Sequence, residues 1–202
     1  VAYDGLNTLS VIDPTTNTIT NSITLTPGFS PTQMYDVGSK MYVLGYGSNK
    51  LASIDTKTNT VSYVQLQGPA QALVANGSKL YITNSSGSTV SVLDINTDNF
   101  ITSVYVGNSP WALATIGTRV YVTLYNTGKV AIIDTNTNTL VGTVTVGQAP
   151  IALATPQGFT TSGQKVYVSN FDNSFISVIS QNVTALKNQR KLINQTIEFK
   201  NN

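Results

Sequence analysis

Apolar and polar residues alternate with period two along much of the chain, as in Thr143-Val144-Thr145-Val146. That spacing predicts strands with one face buried and one face wet. Other stretches are continuously apolar and β-branched, as in Val130-Ala131-Ile132-Ile133, and predict strands covered on both sides. Four kinds of strand recur in a fixed order. The first follows a proline (Pro31, Pro69, Pro110 or Pro150), a residue tolerated at a strand start, where no ladder donor is needed. The second carries a tyrosine, as in Val120-Tyr121-Val122-Thr123. The third is the apolar stretch, and the fourth is the alternating one.

The recurrence has a marker. Gly-x-Lys/Arg-apolar-Tyr appears at Gly38–Tyr42, Gly77–Tyr81, Gly117–Tyr121 and Gly163–Tyr167. The tyrosines are 39, 40 and 46 residues apart. Thirteen residues after the first three stand Asp55, Asp94 and Asp134, and after the fourth stands Ser180. Asp13 belongs to the same series. The glycine supplies a positive φ between the first and second strands. An Asp-x-x-Thr-Asn turn joins the third and fourth, at Asp13–Asn17, Asp55–Asn59 and Asp134–Asn138, with Asp94–Asp98 as a variant. Its Asp accepts from backbone donors, and its Asn tolerates a left-handed conformation. These four leading aspartates are turn builders.

Four-stranded units at a period near 40 residues predict an all-β β-propeller. The chain resembles the YVTN-repeat propeller family. The resemblance rests on Tyr81-Ile82-Thr83-Asn84, Val122-Thr123-Leu124-Tyr125, Val168-Ser169-Asn170-Phe171, the apolar-Asp-x-x-Thr-Asn-Thr stretches, and the Val-Gly-x-x-Pro links at Val106–Pro110 and Val146–Pro150. It covers roughly residues 1–180 and implies about five four-stranded blades. Blade 1 (residues 1–25) lacks its inner strand, blades 2 to 4 are complete, and blade 5 runs from Pro150 to Ser180. The pattern then breaks. Residues 181–202 read as an irregular excursion, helical or extended, with Lys187, Arg190 and Lys191 as the basic cluster and a last strand near Gln195–Phe199. A closed ring of five blades is expected, with an incomplete or larger ring as the alternative. Val1 is not a natural start, so upstream sequence is expected to have been removed.

Composition narrows the chemistry. Among 202 residues, Thr (29), Asn (20) and Ser (19) sum to 68, a third of the chain, against 20 charged residues. The net charge of +2 is too small for an electrostatic nucleic-acid footprint. There is no Cys and no His, so disulfides, thiolate and imidazole metal sites and Ser-His-Asp triads are excluded. No apolar run reaches the roughly 18–20 residues of a spanning helix. A hydroxyl- and amide-rich surface suits an extracellular or cell-surface setting.

Candidate chemistry sits in the loops. One position after the second strand holds Asp4, Tyr46, Ser85, Tyr125 and Phe171, and Trp111 opens a first strand beside it. Tyr46, Trp111, Tyr125 and Phe171, with Asp4 and Asp172, are the candidate binding face, its aromatics suited to stacking on sugars or on apolar groups of a protein. Asp4 and Asp172 fall in equivalent loops of blades that adjoin if the ring closes, and form a candidate carboxylate pair, or a weak Ca²⁺ site with loop carbonyls, against the plainer reading of solvated turn aspartates. Asn76, Asn84, Asn182 and Asn194 head Asn-x-Ser/Thr sequons and are candidate glycan acceptors, with Asn76 and Asn84 expected in loops. No catalytic residue, cofactor or metal is assigned.

The resemblance implies a non-enzymatic surface or extracellular propeller, since such repeats are frequent in microbial, notably archaeal, surface-layer-type proteins. Its expected role is interaction, adhesion, or envelope or filament assembly. Its expected partners are other surface or coat proteins, glycans, or further copies joined through the C-terminal tail or an open blade edge. The rival reading is a small-molecule-binding or catalytic propeller of lyase, glycan-active or quinone-cofactor type, using the loop face.

Overall fold

The computed structural model describes residues 7–155, 165–180 and 194–195. These build five antiparallel sheets. Blade 1 consists of β1 (Thr8–Asp13) and β2 (Thr18–Thr24). Blade 2 holds β3 (Pro31–Val37), β4 (Lys40–Gly45), β5 (Lys50–Asp55) and β6 (Val61–Gln65). Blade 3 holds β7 (Ala70–Asn76), β8 (Lys79–Asn84), β9 (Thr89–Asp94) and β10 (Phe100–Tyr105). Blade 4 holds β11 (Pro110–Ile116), β12 (Arg119–Leu124), β13 (Lys129–Asp134) and β14 (Thr139–Thr145). Blade 5 holds β15 (Pro150–Ala154), β16 (Lys165–Asn170), β17 (Ile176–Ser180) and β18 (Asn194–Gln195), the last paired with Val178 and Ile179.

Each sheet is a meander in which sequence neighbours pair. The glycines that turn the first strand into the second adopt the left-handed backbone (Gly38 φ 61°, Gly77 φ 59°, Gly117 φ 54°). So do the residues closing the Asp turns, at Asn17, Asn59, Asp98 and Asn138 (φ 54–58°). In those turns Asp55 Oδ1 accepts the N–H groups of Lys57 and Thr58, both at 2.9 Å. Asp94 does the same for Asn96 and Thr97, and Asp134 for Asn136 and Thr137.

The core lies between blades, not within one sheet. Leu9, Ile23, Leu25 and Phe29 of the first unit pack on Val43, Ala52 and Ile54 of blade 2. Tyr42, Leu44 and Leu51 pack on Leu73, Leu80, Ile82 and Leu93 of blade 3. Two further clusters fill the 3–4 and 4–5 seams. A blade therefore presents one apolar face backward and one forward, which explains why its two middle strands are apolar on both sides.

A polar clamp crosses two of these seams. Tyr42 Oη donates to Asp98 Oδ1 (2.6 Å) and stands 3.1 Å from Ile95 O. Lys40 Nζ lies 2.9 Å from both Ile95 O and Asp98 Oδ2. One blade on, Tyr81 Oη donates to Asn138 Oδ1 (2.9 Å), and Lys79 Nζ to Thr135 O (2.6 Å). In each case Lys-x-Tyr of one blade grips the Asp turn of the next. Arg119 of blade 4 instead pairs with Asp134 of its own blade.

The expected closed ring is not formed: blade 5 does not reach blade 1. Among the described residues the apolar clusters between blades each join sequence neighbours, and the ring stays open.

Candidate binding face

The loop position after the second strand is built alike in four blades. The backbone N–H of Tyr46 donates to Ser30 O (2.9 Å), that of Ser85 to Pro69 O (3.2 Å), that of Tyr125 to Ser109 O (2.9 Å) and that of Phe171 to Ala149 O (2.9 Å). The acceptor precedes the first strand of the same blade. Ser30, Ser109 and Ala149 hold it there with φ of 44°, 55° and 47°, a left-handed backbone that non-glycine residues adopt at a cost. Each of the three stands before a proline, so the same strained corner recurs at the root of the same loop.

From that frame Tyr46 projects with 80% of its surface exposed and Phe171 with 70%. Tyr125 opens a single 3-10 turn, Tyr125–Thr127, ended by Gly128 at φ 61°. Trp111, the second residue of β11, lies beside it, with ring centroids 5.6 Å apart and planes tilted by 35°. That spacing is a favourable aromatic contact. The four aromatics do not form one patch. Trp111 and Tyr125 are a pair on blade 4, while Tyr46 and Phe171 stand singly on blades 2 and 5.

The acids give less. Asp172 is exposed next to Phe171. Asp4 lies outside the described residues, so no pair is shown. Among the described residues no group of three His, Cys, Asp or Glu side chains could hold a metal, and no helix is long and apolar enough to cross a membrane.

Two sequon placements are corrected, since Asn76 and Asn84 each end a strand. Asn84, expected in a loop, is the last residue of β8 and fully buried; its Nδ2 donates to Thr89 Oγ1 (3.0 Å) and Ser91 Oγ (2.8 Å). The strand runs one residue further than the turn-like Asn-Ser-Ser suggests, because Asn84 still pairs with Thr89. Asn76 closes β7, half-buried, and donates to Gly117 O of the next blade (2.8 Å). Asn182 lies outside the described residues, and of Asn194 only the strand position is described.

Two features escaped the sequence reading. One is the clamp around Asp98. The other is a cleft of about 340 Å³ near Tyr46, lined by Thr26–Phe29, Ser48–Lys50 and Gln65. It exists because five residues separate Leu25 from Pro31, against three between Val106 and Pro110. That length difference was the available signal. Lys50, which lines this cleft, holds its Nζ over the Tyr63 ring, 5.9 Å from the ring centre, and Tyr63 Oη accepts the Thr26 N–H at 2.7 Å.

No protein-family model matches the chain, and no curated protein sequence does. Solved structures do. The chain is similar to hydrazine synthase of Kuenenia stuttgartiensis, at TM-score 0.64 and 20% identity, over 79% of this chain and 47% of that one. It is similar to Sqt1 of Saccharomyces cerevisiae, at TM-score 0.75 and 14% identity, over 89% and 54%. It is similar to the dihydro-heme d1 dehydrogenase NirN, at TM-score 0.70 and 10% identity, over 87% and 41%.

The fold is a β-propeller. At these identities the likeness shows the fold alone, and propellers host unrelated functions. The chain spans about half the length of each of these three proteins.

Proposed function

We propose that this propeller is a non-enzymatic binding module of an extracellular or cell-surface protein, built of YVTN-type repeats, and that its loop face takes carbohydrate. The observation that carries the reading is the Trp111–Tyr125 pair. Two tilted aromatic rings, both partly open to solvent, offer apolar faces of the size of a sugar ring. Phe171 stands at the equivalent loop of the neighbouring blade 5, and Tyr46 at that of blade 2, two blades away, for a longer chain or a second contact. The surrounding Ser, Thr and Asn side chains supply hydroxyl and amide partners without charge. The 68 such residues in the sequence support an exposed life in the same way.

The test is a titration of the protein against immobilised oligosaccharides, read by surface binding. Specific binding that falls at least about tenfold in Trp111→Ala and in Tyr125→Ala supports the reading. Binding untouched by either substitution removes the loop face from it. Binding only to proteins makes the face a protein-docking site instead. Turnover of a sugar or other small molecule moves the chain to the catalytic reading.

A further inference from the structure

We propose that the chain assembles head to tail with a second copy, the forward face of blade 5 packing on the backward face of blade 1. This goes beyond the loop-face reading and does not rest on it.

The argument is positional. The repeat lets each residue at the two ends of the arc be compared with its internal equivalents. Tyr167 of blade 5 matches Tyr42, Tyr81 and Tyr121. Those three are at most 1% exposed, and Tyr167 is 38% exposed. Ile176 matches Leu51, Val90 and Val130, all at 0%, and is 48% exposed. Tyr167 pairs with Val178 and Ser169 with Ile176, so these side chains share one face of the sheet. It is the face with which blade 2 meets blade 3. At the other end, Ile12 matches Ile54, Leu93 and Ile133, which are 0–1% exposed, and is itself 45% exposed. Ile54 lies on the face by which blade 2 meets blade 1. The two open faces are thus the two halves of one internal seam.

The polar parts complement as well. Inside the arc, a Lys-x-Tyr closes on the Asp turn of the next blade in two successive seams. Blade 5 offers Lys165 and Tyr167. Blade 1 offers a turn of the gripped kind, Asp13–Asn17, with Asn17 at φ 54° like Asn138. Asn17 Oδ1 would take the Tyr167 hydroxyl as Asn138 takes that of Tyr81. The Pro14 carbonyl would take Lys165 as the Thr135 carbonyl takes Lys79. A head-to-tail contact of this type closes a ring where its rotation permits and otherwise builds a filament.

The absence of cysteine makes the test direct. Asn17→Cys and Tyr167→Cys are made singly and together in the full chain and treated with a short bismaleimide. Expected is a cross-linked heterodimer when the two single variants are mixed. Light scattering of the unmodified chain should show mass rising with concentration, and Ile12→Asp should shift the association midpoint at least about tenfold. Ile12 is already exposed in the single chain, so at concentrations where both are monomeric the Ile12→Asp variant is expected to keep the circular dichroism and unfolding midpoint of the parent. Three results overturn the proposal. One is a monomer at every concentration. Another is cross-linking confined within the double variant, meaning that the chain closes on itself. The third is Tyr167→Cys protected from the reagent in a monomer, meaning that another segment of the same chain covers the face.

Discussion

The Tyr42 hydroxyl meets the Asp98 carboxylate at 2.6 Å across the seam between blades 2 and 3, fifty-six residues apart in sequence. The same carboxylate takes Ser53 Oγ at 2.9 Å and Lys40 Nζ at 2.9 Å. Burial raises the Tyr42 phenol above its ordinary value, and the neighbouring Asp98 charge adds to this. The phenol is therefore a committed donor. Tyr42→Phe removes one hydrogen bond to a charged acceptor and is expected to cost about 1.5–3 kcal/mol. Tyr81→Phe loses a bond to the neutral Asn138 and should cost less, about 0.5–1.5 kcal/mol. Urea unfolding of the two variants checks the order, and equal costs would refute it.

The pH profile has two edges. Hydrogen bonds from Thr15 to Asp13, from Thr58 and Lys57 to Asp55, and from Thr97 to Asp94 hold these carboxyls below their ordinary 3.8. At Asp134, burial opposes the shift, but Asn136 and Arg119 outweigh it. A carboxyl with a lowered folded value stabilises above its unfolded value and loses that contribution as pH falls through the folded one. Stability should therefore drop only below about pH 4. At the other edge, burial and then the Asp134 charge raise the Tyr81 phenol from 10.0 to about 12. A raised group contributes fully below its unfolded value and loses that as pH rises, so the second drop lies between pH 10 and 12. With no histidine in the chain, the midpoint of thermal unfolding should be nearly flat between the two edges. A titration near pH 6–7 would contradict this.

How far the sequence carried depends on whether a feature is local. The Gly-x-Lys/Arg-apolar-Tyr marker and the Asp turns are short and repeat, so strands and blades could be read from spacing. Asp98 could be read only as a turn residue. Its function comes from Tyr42 and Lys40 of another blade, and no periodicity encodes that meeting. Asn84 misled because Asn-Ser-Ser has turn chemistry, whereas its strand pairing with Thr89 outweighs local preference. The loop aromatics were legible as positions. That Trp111 and Tyr125 touch while Tyr46 and Phe171 stand apart depends on blade packing.

Glycan mapping gives a further check. Asn84 has no exposed surface, and its amide nitrogen is committed to Thr89 and Ser91. A sugar attached there has no room in the folded blade. Peptide mass spectrometry of protein made in a glycosylating host should find Asn84 unmodified. Substantial occupancy at Asn84 would mean that the end of β8 opens in the mature protein.

Gly45 tests whether the longer link before blade 2 is fixed in place. A Cβ at this position would lie 2.0 Å from Phe29 O and 3.1 Å from Phe29 Cδ1. Phe29 cannot easily retreat. Its side chain is 2% exposed in the seam, and its N–H is held by Asn7 Oδ1 at 2.9 Å. The equivalent positions Asn84, Leu124 and Asn170 carry full side chains because the links before their blades are shorter. Gly45→Ala is therefore expected to destabilise by about 1–3 kcal/mol, through backbone displacement and not through lost glycine flexibility. Gly142→Ala is the control, since nothing lies within 4 Å of a Cβ there, and its expected change is within about 0.5 kcal/mol. Matching urea midpoints for the two variants would show that the Phe29 link yields, and the cleft it forms beside Tyr46 would then be a soft feature of the loop face.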